Sequence, residues 1–290
     1  MLTLEKINQL TGARLGTFDV VCPACGPDRR SPANQRRKVL RIWRIAAGFA
    51  GYRCARCELQ GFACDRDAPK PDIAELAKSR DEARQFGEAA ARKKRRKAQW
   101  LWKQHRSAAG TVVEAYLRQA RSYTGPLPPT IGFLPSRGEL PPAMITAFGL
   151  HADFGASVPS EVVQAVHITR LAPNGASKAG TDTDKIMIGT PRGWPIVLAP
   201  VNDGLGLAVT EGIEDGLSIF EATGLGVWAA GAASFLPALA AAVPSYIDVV
   251  SIVADPDEVG RRFARELAFR LRAREIRNRV LIWRDRTLAA

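Results

Sequence analysis

The last third of the chain alternates short apolar runs with helix-like runs, and this alternation restricts the possible folds more than any other feature. Strands are predicted at residues 205–210, 225–229, 248–254 and 279–283, and helices at 213–222, 234–242 and 259–274. Strands and helices that alternate at this spacing predict a parallel sheet with crossover helices. Buried parallel strands are typically continuous apolar runs, as these are. We therefore predict an α/β domain over residues 201–290.

Acidic side chains follow two of these predicted strands. Glu211 comes directly after the first strand with Asp215 four residues later, and Asp255 and Asp257 come directly after the third. Open parallel sheets place their sites at the carboxyl ends of strands, so these acids converge if the two strands are neighbours. Carboxylates that converge repel one another unless a cation lies between them. Because Mg²⁺ takes oxygen ligands and keeps several waters, the pattern predicts a magnesium site for phosphoryl or nucleotidyl transfer.

Two of the acids have a simpler explanation. Asp215 is placed to favour the N-terminus of the helix that it begins, and Asp257 to cap the helix that starts near Val259. Glu211 has no such capping role. The presence of all four acids at strand ends favours metal binding over capping alone.

The N-terminal segment contains all five cysteines, four of them in two pairs. Cys22-Pro-Ala-Cys25 and Cys54-Ala-Arg-Cys57 are separated by 28 residues. Four thiolates in this pattern suit a structural Zn²⁺ with no open coordination position, although four unrelated thiols are the alternative. The residues between the pairs predict two or three strands, so residues 1–64 are interpreted as a zinc ribbon. Cys64 forms no pair and is interpreted as an ordinary buried or free thiol.

An excess of positive charge indicates a polyanionic partner. The formal net charge is +12, which is typical of proteins that bind nucleic acid or an anionic membrane surface. The cations and aromatic residues of the ribbon favour single-stranded DNA, because cations contact phosphates and rings stack on bases. A solvated basic face with its aromatic residues in a small core is the alternative. The candidate DNA-binding residues are Arg36, Arg37, Lys38, Arg41, Trp43 and Arg44.

The middle of the chain divides into two further predicted segments. Residues 65–110 are charged and Ala-rich, contain the run RKKRRK at 92–97 and predict a basic helical linker. Residues 111–200 predict a mixed α+β subdomain that is rich in turns. No run approaches the roughly 20 apolar residues of a membrane span, and the start lacks the features of a signal peptide. We therefore expect a cytoplasmic protein that does not insert into a membrane.

The acidic motifs resemble those of the Toprim domain, which bacterial-type primases, topoisomerases and some nucleases share. The matching residues are Glu211-Gly212-Ile213-Glu214-Asp215 and Asp255-Pro256-Asp257. A four-cysteine ribbon ahead of such a domain resembles the layout of bacterial and phage primases and of Toprim proteins that phages and plasmids carry. The segment from His167 to Leu171, with Lys178 and Lys185–Gly189, is similar to the basic half of the primase core. Many primases have a histidine in the ribbon where this chain has cysteine.

The resemblance implies a DNA primase that makes short RNA primers on single-stranded DNA from nucleoside triphosphates. Glu211 would be a metal ligand or general base, Asp255 and Asp257 would hold Mg²⁺ or Mn²⁺, and Asp215 would support that site. Arg170 and Lys185 would neutralise phosphates, and His167 would pack or contact phosphate. No P-loop motif is present, so a separate replicative helicase is the expected partner. A Toprim nuclease and a non-catalytic nucleic-acid-binding protein are the alternative functions.

Overall fold

A computed structural model of the chain describes residues 1–27, 32–57, 59–65, 67–68, 72–150 and 158–282. The chain forms two compact units, residues 1–89 and 90–290. Trp283, the last residue of the predicted final strand, lies outside the described residues. Among the helices that are described, none is both long enough and apolar enough to cross a membrane.

The first unit is built on one antiparallel sheet. Its strands are β1 (Gly16–Val21), β2 (Lys38–Ala46), β3 (Phe49–Cys54) and β4 (Gln60–Cys64), paired in that order. The predicted turn near Gly48 joins β2 to β3. Strands β1 and β4, which flank the two cysteine pairs, were not predicted. Two short helices, α1 (Leu4–Thr11) and α2 (Pro32–Gln35), precede β1 and β2.

Helix α1 packs on one face of this sheet. Thr3 caps its N-terminus by accepting a hydrogen bond from the Lys6 backbone N–H at 3.2 Å, and Gly12 ends it in the left-handed conformation that glycine favours. Ile7 of the helix lies in a core with Ile42 and Tyr52, all almost fully buried. The strands alternate buried and exposed residues, so the opposite face of the sheet remains accessible.

The second unit begins within the long helix α3 (Ile73–Lys103) and continues into a second antiparallel sheet. Helix α3 ends before Gly110, where the predicted helix ended. A two-residue strand and a short helix follow, β5 (Arg106–Ser107) and α4 (Val112–Ala115). The remaining strands are β6 (Ile131–Leu134), β7 (Ala143–Phe148), β8 (Ala165–Arg170) and β9 (Lys185–Gly189), and the sheet has the order β5-β6-β7-β8-β9.

The C-terminal third forms the predicted parallel sheet. Its elements are β10 (Ile196–Ala199), β11 (Gly206–Thr210), α5 (Ile213–Thr223), β12 (Gly226–Ala229), α6 (Leu236–Leu239), β13 (Val249–Ala254), α7 (Glu258–Arg272) and β14 (Arg277–Ile282). The strand order is β10-β12-β11-β13-β14, with β10 antiparallel and the others parallel. Helix α6 is shorter than predicted, because a 3₁₀ turn (Ala233–Phe235) precedes it and a turn follows it from residue 240.

The antiparallel and parallel sheets of the second unit share one hydrophobic core. Phe148 and Leu171 from the middle of the chain pack in the same cluster as Leu198, Ile213 and Leu217. Each such side chain contributes roughly 1.5–3 kcal/mol when it is fully buried. The shared core holds the carboxyl ends of β11 and β13 beside the residues of β8 and β9.

Candidate functional site

The four paired cysteines of the first unit form a compact cluster. Their sulfur atoms all lie within 4.8 Å of one another, with Cys22 and Cys57 3.7 Å apart and Cys25 and Cys54 3.8 Å apart. Sulfurs bonded to Zn²⁺ at about 2.3 Å in a tetrahedron lie about 3.8 Å from one another. These distances therefore fit a zinc site, and they are far longer than the bond of a disulfide.

The electrostatics of the cluster also fit a bound cation. Burial and the neighbouring sulfurs raise the pKa of Cys25 to about 12. Four adjacent thiolates are therefore unfavourable unless a positive ion lies between them. Cys64, in contrast, is an exposed free thiol outside the cluster, which agrees with its interpretation as an ordinary thiol.

The predicted DNA-binding residues of the first unit occupy different environments. Arg36, Arg37 and Lys38 are exposed. Arg41 is held by Asp19, whose carboxylate oxygens lie 2.7 and 2.5 Å from the guanidinium. That guanidinium holds the pKa of Asp19 below its usual value.

Arg44 corrects the sequence-based assignment. Its side chain is only 4% exposed and donates to the Ala47 carbonyl at 2.7 Å and to the Asn8 side chain. It alternates with Arg41 and Trp43 along β2, so it shares the buried face of Ile42. Arg44 therefore connects β2 to α1 instead of facing solvent.

The exposed face of the first sheet carries aromatic rings around a glycine. Trp43 on β2 is paired with Gly51 on β3, and Gly51 is paired with Phe62 on β4, so the three share a face. A side chain at Gly51 would meet no atom within 4 Å. Phe62 is 63% exposed and stacks on Phe49 with ring centroids 5.9 Å apart. Phe62 was not among the DNA-binding residues predicted from the sequence. It alternates with the buried Ala63 along β4, and this alternation is the signal that indicates its exposure.

The second unit contains a polar cleft of about 240 Å³ between its two sheets. The cleft has an acidic wall, which we define as Glu211, Asp215 and Asp255, and a basic wall, which we define as Arg121, Lys178 and Lys185. The remaining lining residues are His167, Gly212, Ile213, Glu214 and Gly231. The cleft therefore brings together residues from both halves of the unit.

Adjacent strands and one helix position the acidic wall. Glu211 follows β11 and Asp255 follows β13, and these strands are parallel neighbours with Thr210 paired to Val253. Asp215 lies in the first turn of α5. A Cβ atom at Gly212 would lie 2.3 Å from the Asp215 carboxylate, so glycine leaves room for that carboxylate at the start of the helix.

Burial and mutual repulsion raise the pKa of every acid in this wall. After burial, the largest influence on both Glu211 and Asp215 is the charge of Asp255. The pKa of Asp255 is raised by burial and then by the charge of Asp257. Lys185 acts in the opposite direction on all three acids. The wall therefore carries negative charge that its surroundings do not fully compensate.

The acids are less closely grouped than the cysteines. Across the described part of the chain, the cysteine cluster alone brings three or more acidic, thiol or imidazole ligand atoms within 4.8 Å of one another. Mg²⁺ is commonly bound through one or two carboxylates and several waters, so wider spacing still suits it. The donor set is all oxygen and its pKa values are raised, and both properties fit Mg²⁺ or Mn²⁺.

Asp257 has a capping role. Its carboxylate accepts a hydrogen bond from the Gly260 backbone N–H at 2.6 Å and caps α7. It does not line the cleft, but its charge acts on Glu211 and Asp255. The structure thus places it behind the acidic wall, at the start of the helix.

The basic wall differs from the one that the resemblance implied. Lys185 lines the cleft, but Arg170 does not. Lys185 is paired with Thr169 across β8 and β9, and alternation along β8 places Arg170 on the other face. Arg121 and Lys178 take the place expected of Arg170. Burial and the charge of Lys185 lower the pKa of Lys178, which shows how closely these cations are grouped.

Glu214 connects the acidic segment to the basic wall. The Tyr116 hydroxyl donates to Glu214 Oε1 at 2.9 Å and accepts from Arg121 Nε at 2.9 Å. Lys178 Nζ lies 4.0 Å from the same oxygen of Glu214. Burial favours the neutral form of Glu214, but Lys185, Tyr116 and Lys178 outweigh it and lower its pKa.

His167 lies buried at the base of the cleft. Its side chain is 3% exposed, and burial, with the charge of Lys185, lowers its pKa to about 4. The imidazole is therefore neutral near pH 7 and packs in the cleft without adding to its charge.

Two family models match the second unit. One, described as a Toprim domain, matches residues 206–286, and the other, a domain of unknown function (DUF7146), matches residues 92–198. No curated protein matches the chain. Among solved structures, the primase fragment of the bacteriophage T7 primase-helicase protein is similar at 14% identity and a TM-score of 0.37, covering 91% of this chain and 90% of that one. The predicted similarity of the C-terminal third to Toprim domains is confirmed, and residues 206–286 include all four acids of its motifs.

Proposed function

We propose that the protein is a DNA primase that joins nucleoside triphosphates into short RNA primers on single-stranded DNA. The cleft is the observation that supports this most directly. Acids at the ends of two parallel strands face three cations across about 240 Å³. An acidic wall suits a divalent cation and a basic wall suits phosphates, and nucleotidyl transfer requires both.

In this proposal the reacting groups lie between the two walls. The 3′ hydroxyl of one nucleotide attacks the α-phosphorus of the next, a new O–P bond forms, and the bond to the β-phosphate breaks to release pyrophosphate. Negative charge increases on the phosphate oxygens during this step. The basic wall, formed by Arg121, Lys178 and Lys185, neutralises that charge. Glu211 lines the acidic wall and is the metal ligand or the general base, and as the base it accepts the proton of the hydroxyl.

A divalent cation held by Glu211 and Asp255 would polarise the phosphoryl oxygens. Asp215, in the first turn of α5, is the third carboxylate of the acidic wall and would support the same cation site. Asp257 keeps Asp255 in position by capping α7 at the end of the Asp-Pro-Asp segment.

Template binding is assigned to the first unit as part of the same proposal. Cations for phosphates are provided by the exposed residues Arg36, Arg37 and Lys38. Aromatic rings are provided by Trp43 and Phe62, on either side of Gly51, where an added Cβ atom would meet no atom within 4 Å. Cations combined with exposed rings are typical of proteins that bind single strands.

The test is a primer-synthesis assay with the full chain. The protein is incubated with single-stranded DNA, labelled nucleoside triphosphates and Mg²⁺ or Mn²⁺, and products are separated by length. We expect short labelled products and their loss, by at least about 1,000-fold, in Asp255→Asn. Asp248→Asn is the matched control, because Asp248 precedes β13 at the opposite end and is exposed.

The same assay separates the alternatives. Template that is shortened in the presence of metal, without labelled products, would replace the primase with a Toprim nuclease. DNA binding without either reaction would support a non-catalytic binding protein. Full primer synthesis by Asp255→Asn would contradict the role of the acidic wall.

A further inference from the structure

Glu214 is an acid of the cleft that the proposed reaction does not use. It lies one residue before Asp215, in the first turn of α5. Its side chain is 16% exposed and lines the cleft. Its contacts are with the basic wall, through the Tyr116 hydroxyl and the Lys178 ammonium.

We propose that Glu214 is a positioning residue that holds the basic wall away from the acidic wall and so keeps the acidic wall open to a divalent cation. The inference rests on the proposed function, because it takes the acidic wall to be the cation site.

The contacts of Glu214 reach two of the three cations. Lys178 is reached directly, with 4.0 Å between its Nζ and Glu214 Oε1. Arg121 is reached through Tyr116, whose hydroxyl joins the two side chains with two hydrogen bonds of 2.9 Å. The Arg121 guanidinium also lies over the Tyr116 ring, 5.2 Å from its centroid. Glu214 therefore fixes the direction in which both cations point.

The geometry of α5 separates Glu214 from its neighbour in sequence. Glu214 and Asp215 are consecutive in the first turn, and consecutive residues of a helix are rotated by about 100°. One carboxylate can therefore contact the basic wall while the other belongs to the acidic wall.

Competition between the walls is the reason that such an acid is needed. Arg121 and Lys185 already lower the pKa of Asp215, so these two cations lie within electrostatic reach of the acidic wall, and Lys178 lines the same cleft. Without the charge of Glu214, Arg121 and Lys178 lose the carboxylate that holds them through Tyr116 and at 4.0 Å, and both line the same cleft as the acidic wall. Pairing there would occupy the oxygens that the divalent cation needs.

The test measures Mn²⁺ binding by the full chain, using electron paramagnetic resonance with no nucleotide or DNA. Glu214→Gln keeps the size of the side chain and an oxygen that can accept from Tyr116, but removes the charge. We expect Mn²⁺ to bind about 10-fold more weakly. Glu221→Gln is the matched control, because Glu221 lies on the same helix and accepts from Thr124 at 2.8 Å, away from the cleft. It should bind Mn²⁺ as the unsubstituted protein does.

A second substitution distinguishes positioning from direct metal binding. Lys178→Met removes the cation that Glu214 restrains, so it should restore most of the Mn²⁺ affinity when it is combined with Glu214→Gln. If Glu214 were itself a ligand, Lys178→Met would raise the Mn²⁺ affinity by the same factor with and without Glu214→Gln, and the inference would be overturned; a positioning role requires a larger gain in Glu214→Gln.

The outcomes also separate this inference from the proposed function. Unchanged Mn²⁺ affinity in Glu214→Gln overturns the inference alone. Absence of Mn²⁺ binding by the unsubstituted protein overturns both. Rescue by Lys178→Met supports the inference even if no primers are made.

Discussion

The cysteine cluster and the acidic wall both gather anionic side chains, but they do so in different ways. The four sulfurs lie within 4.8 Å of one another. The acids line an open cleft that they share with three cations and Glu214. A closed set of ligands leaves no position for substrate, whereas an open one does.

This difference indicates what each site contributes. The cysteine cluster joins the segment after β1, which contains Cys22 and Cys25, to the end of β3 and the turn that follows it, which contain Cys54 and Cys57. Its metal would therefore stabilise the first unit. The acidic wall follows strands that are already buried in a large core, so its metal would contribute to chemistry. The predictions below test that division.

The largest expected effect is on the folding of the first unit. Cys54→Ser should release zinc and unfold residues 1–64, because a structural zinc site contributes on the order of 10 kcal/mol or more. Zinc release measured by a metal-sensitive dye and protease cleavage within that segment should occur together. Cys64→Ser, which alters an exposed free thiol, should change neither. Retention of zinc by Cys54→Ser would contradict the assignment.

The second prediction concerns metal at the acidic wall. Saturating Mn²⁺ should stabilise the second unit by about 2–3 kcal/mol, as a ligand at 100 times its Kd does. Asp255→Asn should abolish this gain without unfolding the protein, because it removes a carboxylate whose pKa is raised by burial and repulsion. Thermal unfolding with and without Mn²⁺ measures both effects. A large loss of stability in metal-free Asp255→Asn would show that the acids serve the fold.

The third prediction tests how packing positions the acidic wall. Gly216 on α5 lies so close to the sheet that a Cβ atom would approach Leu198 to 2.4 Å. Gly216→Ala should therefore destabilise the second unit by about 1–3 kcal/mol and weaken Mn²⁺ binding as α5 shifts. Gly87→Ala is the matched control on α3, where an added Cβ meets nothing, and should be neutral or slightly stabilising. Equal behaviour of the two variants would contradict the close packing of α5.

The sequence predicted the parts of both sites that depend on local pattern. The paired cysteines specify tight turns, and continuous apolar runs specify buried parallel strands, so the cluster and the convergence of Glu211 with Asp255 were both predictable. Arg44 was also predictable, since it alternates in phase with buried Ile42 on β2. Its assignment to DNA binding followed the cations and aromatic residues of that segment and did not use its phase along the strand.

The network around Glu214 was not predictable in the same way. Tyr116 and Glu214 are 98 residues apart and meet only because two sheets share one core. No local periodicity encodes that contact. The expectation for Arg170 came from resemblance, and the pairing of Thr169 with Lys185 places Arg170 on the other face of β8.

The smallest expected effect compares two arginines of the first unit. Arg37 is exposed, whereas Arg41 is held by Asp19 in a two-point ion pair. If the first unit binds single-stranded DNA, Arg37→Gln should reduce the slope of log affinity against log salt by about 0.7, which is roughly a 4-fold loss of affinity at 0.15 M salt. Arg41→Gln should reduce the slope by less, because Asp19 already neutralises that guanidinium.

Fluorescence anisotropy of a labelled oligonucleotide across a salt series measures both slopes. Equal reductions would show that DNA displaces Asp19. No reduction in Arg37→Gln would remove Arg37 from the DNA-binding surface and would leave the assignments of the cysteine cluster and the cleft unaffected.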